Sequence, residues 1–235
     1  MNSAQPAAVF WDMDGTLIDT EPLWGKATYE LGELLGRPLT PEVRARTVGG
    51  SFPATLRIVA EWAGVELREG DLERYQRWMF DRMAELFSQG IELNDGIRGV
   101  LESLTQRGTA MLVTTNTARE LADACIDAIG RGFFTDTICG DEVERPKPAP
   151  DMYLEAARRV GAAPGDCLVF EDSFNGMSAA AAAGCVVRGL ATPGANVPDG
   201  VVPLDPGEFE GASAADVDRW FAEARDAVTA RVFRS

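Results

Sequence analysis

The chain has 235 residues, a formal net charge of -15, 46% hydrophobic residues and no histidine. That length can bury one large core, or one core with a smaller domain attached, and no apolar stretch is long enough to span a bilayer. The acidic excess argues against nucleic acid or an anionic membrane surface as a partner, and the lack of histidine leaves acid–base work to Asp, Glu, Lys or Tyr.

Ala7 to Trp11 reads as a first strand. Between Glu21 and about Gly90 the texture is helical: Leu23 to Leu35, Pro41 to Thr47, Phe52 to Trp62 and Leu72 to Phe87. Apolar residues there recur three and four apart, and glycines including Gly49-Gly50 punctuate the run, as in a bundle of helices. Gly49-Gly50 is read as a turn reaching toward the cleft. After Asn94-Asp95-Gly96 strands and helices alternate. A helix over Ile97 to Gln106 stops at Gly108, and Ala110 to Val113 is a buried strand. Next come a helix from Ala118 to Ile129, a short strand from Thr135 to Cys139 and a helix from Ala149 to Val160. A strand over Cys167 to Phe170, a helix over Met177 to Ala183 and a strand over Cys185 to Val187 complete the pattern. This alternation implies a parallel sheet covered on both faces, an α/β core of Rossmann-like type. The helical block interrupts it, so residues 1–20 and 94–235 form the core and residues 21–93 an inserted helical domain. The tail beyond Gly189 is rich in Pro and Gly and ends in an amphipathic helix from Ala214 to Thr229. Met1 to Ala8 lacks the features of a signal peptide, and a cytoplasmic protein is expected. Cys125, Cys139, Cys167 and Cys185 contain no close pair and read as free, buried thiols rather than zinc ligands.

Ligands in open α/β sheets bind outside the carboxyl ends of the strands. Asp12 and Asp14 follow the first strand. They would share one side of a regular strand, and like charges that close call for a cation or a shared proton. Thr115 and Asn116 follow the second strand, Lys147 the third, and Glu171 and Asp172 the fourth. All fall on one edge of one sheet. Asp12, Asp172 and the backbone carbonyl of Asp14 offer hard oxygen ligands that suit Mg²⁺, with Glu171 touching the metal through water or orienting its neighbours. Lys147 would neutralise a phosphate oxygen and screen Asp12. Thr115 would donate its hydroxyl to phosphate. Asn116 would do the same or cap a helix. Asp12 could then attack phosphorus, and Asp14 could protonate the leaving alcohol and later activate water.

These residues resemble the haloacid dehalogenase superfamily. The match comprises Asp12-Met13-Asp14-Gly15-Thr16, Thr115, Lys147, and Glu171-Asp172 leading into Ser173-Phe174-Asn175-Gly176-Met177. It covers nearly the whole chain except roughly the last forty residues. The resemblance implies a Rossmann-like core, Mg²⁺, and a helical cap that closes over a small phosphorylated substrate. Within that family the chain looks most like the sugar-phosphate phosphatases and the β-phosphoglucomutase-like members. Carbon–halogen-cleaving members lack an aspartate at the place of Asp14, so phosphoryl transfer is favoured. Phosphonate-cleaving members use a cap lysine, and the helical block has only Lys26. The mutases carry a cap histidine and a cap arginine where this chain has Trp24 and Pro53, so hydrolysis is favoured over isomerisation.

Three readings therefore stand. The first is a Mg²⁺-dependent phosphatase of a small metabolite, the second a phosphomutase, the third a non-catalytic phospho-ligand binder. A monomer or weak dimer is expected. Glu21 is either a substrate-hydroxyl acceptor or a first-turn acid, and Trp24 is a second candidate for specificity. Ser173 and Asn175 read as capping or supporting residues. Trp62, Trp78 and Phe80 read as core of the helical block.

Overall fold

A computed structural model describes residues 5–48, 51–191 and 196–232. The Gly49-Gly50 turn lies outside them. The described chain divides into two compact units, residues 20–91 and residues 1–19 with 92–235.

The larger unit is built on a parallel six-stranded sheet in the order β3-β2-β1-β4-β5-β6. The strands are β1 (Ala8–Trp11), β2 (Ala110–Thr114), β3 (Asp136–Ile138), β4 (Cys167–Glu171), β5 (Val186–Leu190) and β6 (Val201–Leu204). β1 sits at the centre because it is apolar at every position and buried on both faces, as a parallel strand under two helical layers must be. It pairs with β2 on one side and β4 on the other, Phe10 opposite Leu112 and Val169. Strand order reverses between β1 and β4, the place where α/β sheets open a crevice.

Side-chain alternation then sorts the two faces. Phe10, Leu112, Val169 and Val187 join Tyr153 and Ala156 of helix α7 (Asp151–Val160) and Met177 and Ala180 of helix α8 (Phe174–Ala182). The alanines of α8 let it lie close on the sheet. On the opposite face Trp11 stacks on Phe170 with centroids 4.5 Å apart. Phe209 and Trp220 close over Phe170 edge-on, Trp220 coming from helix α9 (Ala214–Val232). The remaining helices of this unit are α5 (Ile97–Arg107) and α6 (Arg119–Ile129).

The α/β, Rossmann-like class is as read from sequence. Three details differ. The Pro- and Gly-rich tail holds a further strand, β6, which no strand expectation covers, and Pro203 within it hides the strand pattern. Proline cannot donate to a ladder, and β6 tolerates it because it lies at the sheet's edge. α8 begins at Phe174 rather than Met177, since Ser173 caps it by accepting the Gly176 N–H. Asp14 is not in a regular strand. The chain turns at Gly15, whose φ of +88° favours glycine, and Gly15 N–H bonds Ile18 C=O. All four cysteines are free and buried.

The smaller unit holds α1 (Glu21–Leu34), α2 (Pro41–Ala45), α3 (Phe52–Ala63) and α4 (Asp71–Phe87). Leu31, Leu56, Val59, Met79, Met83 and Leu86 are buried within it. Trp62, Trp78 and Phe80 are only half-buried, which corrects their reading as core. Trp62 instead lies under the Arg37 guanidinium, 3.6 Å from its ring centroid, and donates to Pro38 C=O.

Trp220 is enclosed by Phe170 and Phe209. Replacing it with alanine should cost about 3–5 kcal/mol of stability through lost burial and an unfilled cavity. Urea unfolding measures this, and a loss no larger than that of a surface substitution would contradict the packing described.

Candidate active site

Every strand end at the crevice contributes a polar group. Asp12 directly follows β1, and its N–H continues the ladder onto Phe170 C=O. Its carboxylate is almost wholly buried. Lys147 reaches it from the segment after β3, with Nζ 2.6 Å from Asp12 Oδ1. The same ammonium donates to Glu171 Oε1 at 2.7 Å and to Thr114 C=O at 2.9 Å. An ammonium has three hydrogens, and these acceptors use all three. The Tyr153 ring lies beneath, 5.2 Å from Nζ. The sequence reading has Lys147 screen Asp12, and the contact with Asp12 Oδ1 places its charge there.

Asp12, Glu171 and Asp172 each offer a carboxylate oxygen, all within 4.8 Å of one another. Burial drives the Asp12 pKa well above the usual range, Glu171 adds to the rise, and Lys147 opposes it. Burial and then Glu171 push Asp172 up to about 7. Burial opposes the charge on Lys147, yet Asp12 and Glu171 hold its pKa well above the ordinary lysine value. Three carboxylates thus share one lysine in a poorly solvated place. Their hard oxygens suit Mg²⁺, and a further cation would relieve the repulsion that raises Asp12 and Asp172. The site fits such an ion.

The supports are specific. Glu171 Oε2 accepts from Ser173 N–H and Oγ. A Cβ at Gly176 would overlap the Glu171 carboxylate, and one at Gly15 would overlap that of Asp172. Thr16 Oγ1 donates to Asp172 Oδ1 at 3.1 Å. Asn94 Nδ2 donates to the carbonyls of Gly15 and Thr16, tying the loop after β1 to the chain before α5.

Asp14 parts from Asp12. It is half-exposed, and its Oδ2 accepts from Thr117 Oγ1 at 2.7 Å and from Thr115 Oγ1 at 3.3 Å. Its carboxylate does not belong to the three-carboxylate group. Asn116 is also placed differently from the sequence reading. Its amide donates to Lys147 C=O at 3.1 Å and accepts Lys147 N–H at 2.9 Å, which fixes the lysine's backbone rather than capping a helix. Ser173 caps α8 as anticipated in its capping role. In the smaller unit, Glu21 pairs with Arg44 at 2.5 Å and Trp24 meets Phe87 edge-on. Thr16, Asn94, Thr117 and Gly176 were not assigned roles from sequence. Only Thr16 and Gly176, inside quoted motifs, carried any signal.

The fold and this edge of acid, lysine and hydroxyl groups are those of a Rossmann-like α/β protein with a polar crevice outside the carboxyl ends of its strands. The chain belongs to the haloacid dehalogenase-like hydrolases, whose family model matches residues 6–184. It is 32% identical over 178 residues to a phosphorylated carbohydrates phosphatase of Thermotoga maritima, covering 75% of this chain and 81% of that one. It is 34% identical over 181 residues to a fructose-1-phosphate phosphatase of Escherichia coli, covering 76% and 93%. Among solved structures it is similar to CbbY from Rhodobacter sphaeroides in complex with phosphate, with a TM-score of 0.78 and 27% identity over 91% of this chain and 100% of that one. Among the described residues no helix is long and apolar enough to cross a membrane.

Methionine at Lys147 keeps the stem and removes the charge. Asp12 and Asp172, already raised, would rise further, and a carboxyl whose folded pKa is raised loses stability as pH climbs. K147M should therefore cost about 3–5 kcal/mol near neutrality and clearly less at about pH 5, read by urea unfolding at both. Equal losses would show that charge crowding is not what Lys147 relieves.

Proposed function

We propose that this protein is a Mg²⁺-dependent phosphatase that hydrolyses a small phosphorylated metabolite, a sugar phosphate, through an aspartyl-phosphate on Asp12. The observation that carries the reading is the buried Lys147–Asp12 contact beside Glu171 and Asp172, with Asp14 held separately by hydroxyls.

Asp12 is the nucleophile. Lys147 fixes its Oδ1 and favours the ionised form, so Oδ2 is the oxygen to attack phosphorus. The bond from phosphorus to the substrate oxygen breaks as the new one forms, and Asp14 gives that oxygen a proton. Asp14 then takes a proton from the water that cleaves the aspartyl-phosphate. Thr115 is placed to turn its hydroxyl toward a phosphate oxygen, and Asn116 holds the Lys147 segment still. Asp12, Asp172 and the Asp14 carbonyl would hold Mg²⁺, with Glu171 behind them. Bound there, the ion supplies positive charge that offsets the carboxylates and the incoming phosphate. The rest is positioning and charge stabilisation.

Family membership also supports treating residues 21–93 as a cap, with Glu21 and Trp24 as candidates for substrate choice. Trp24 and Pro53 in place of histidine and arginine favour hydrolysis over a mutase reaction.

A phosphate-release screen over a broad panel of phosphorylated metabolites, with and without chelator, tests the assignment. We expect turnover of sugar phosphates that chelator abolishes and added Mg²⁺ restores. Asp12→Asn should lower kcat by roughly 10⁴-fold or more while the circular-dichroism spectrum stays native. A D12N protein at full rate would overturn the mechanism.

A further inference from the structure

The chain leaves the larger unit after Asp19 and returns to it at Glu92. Ile18 and Leu93 pair there as an antiparallel bridge. Asn94 follows, half-buried, and meets three consecutive carbonyls of the loop after β1. Its amide donates to Gly15 C=O at 3.1 Å and to Thr16 C=O at 2.9 Å, and its backbone N–H donates to Leu17 C=O at 3.0 Å. The same loop seats Asp172. Thr16 Oγ1 donates to Asp172 Oδ1 at 3.1 Å, and a Cβ on Gly15 would overlap Asp172 Oδ2. The two residues on which the Asp172 carboxylate rests are thus the two whose carbonyls the Asn94 amide holds. We propose that Asn94 is a positioning residue for the cation site, fixing the Gly15-Thr16 segment that seats Asp172.

The side chain suits the task. Two carbonyls in sequence need two donors close together, and one amide nitrogen carries two hydrogens. An ionised carboxylate of the same shape carries none. Gly15, at a φ of +88°, is the residue of the loop whose backbone turns most freely, so the peptide planes beside it need a hold from outside. Such a hold bears on the cation because a metal site gains affinity when its ligands are already in place, and the groups behind the ligands keep them there. A cavity of about 290 Å³ borders Gly15, Thr16 and Asn94. Water from it can take over the two carbonyls when the amide is removed, so the fold survives. A mobile water does not fix the direction of those carbonyls, and the seat of Asp172 loosens.

The inference rests on the Mg²⁺ reading of this site, and the experiment keeps the two apart. Mg²⁺ alone is titrated by calorimetry into the substrate-free protein. We expect Asn94→Ala to weaken Mg²⁺ binding by about 10-fold, the smaller end of what a group behind the ligands contributes. Its urea midpoint in chelator should stay close to that of the parent protein. T16V, which takes the hydroxyl from Asp172, should weaken binding at least as much, and T16S, which keeps a hydroxyl, should restore it. The N94A/T16V protein should lose less than the product of the two single losses, because both act on one carboxylate. In the phosphate-release assay N94A should need about 10-fold more Mg²⁺ for half its maximal rate, with kcat at saturating Mg²⁺ much less affected. Unchanged Mg²⁺ affinity in N94A overturns the role of Asn94. So do single losses that multiply fully in the double variant, or a loss of affinity that comes only with a large fall in the urea midpoint. A parent protein that binds no Mg²⁺ overturns the cation site itself.

Discussion

Charge crowding at the edge of the sheet is the constraint on which the rest of the site depends. Asp12, Glu171 and Asp172 come together because β1 and β4 are neighbours and both end in acid. Nothing about burial favours this. Desolvation is the first cause of the raised pKa at Asp12 and at Asp172. One ammonium, with all its hydrogens committed, offsets part of the repulsion. The surroundings then prevent the carboxylates from relaxing apart. Ser173 grips Glu171, Thr16 grips Asp172, and glycines stand where a Cβ would displace either one. A buried cluster with too little positive charge is costly to keep. Its persistence is a physical reason to read it as a place for a cation and an anionic substrate rather than as scaffolding.

The turn at Gly15 separates two aspartates that lie only one residue apart. Asp12 continues the strand inward to the lysine, while Asp14 turns to the threonines after β2. Their environments differ as their proposed tasks do. A nucleophile benefits from a fixed cation and exclusion of water. A proton carrier needs access to the leaving oxygen and neutral partners that tolerate both of its states. One short loop thus creates two different carboxyl groups, and Asn94 anchors that loop from the far end of the helical insertion.

The apolar runs that make β1, β2 and β4 were legible in the sequence, and so was the polar edge, because strand ends and motif residues are local signals. What escaped was long-range. Thr117 finds Asp14 across 103 positions, and Asn94 finds Gly15 across 79. No local pattern distinguishes such a threonine or asparagine from an ordinary cap or turn residue. The helix-cap alternative for Asn116 fell for the same reason, since its side chain meets the backbone of Lys147 and not the adjacent helix. β6 was lost to its proline, which signals a break unless one knows that the strand is an edge. The aromatic packing of Phe209 on Trp11 and of Trp220 on Phe209 joins opposite ends of the chain, and only the sheet's topology brings them together.

The helical unit shows a different kind of preparation. Arg44 is nearly buried, with 10% of its side chain exposed, and it pairs with Glu21, which is 54% exposed. Arg44 also donates to Thr47, so the cation has a second contact that resists its turning. A first-turn acid stabilising a helix start needs no such partner. A carboxylate presented at a surface by a buried arginine has already lost much of its rotamer freedom. Any hydroxyl that it binds therefore costs less in ordering. The arrangement gives the Glu21 carboxylate a fixed side-chain partner in addition to its place in the first turn of α1. It also distinguishes Glu21 from Trp24, whose ring is packed edge-on against Phe87 and offers an apolar contact instead.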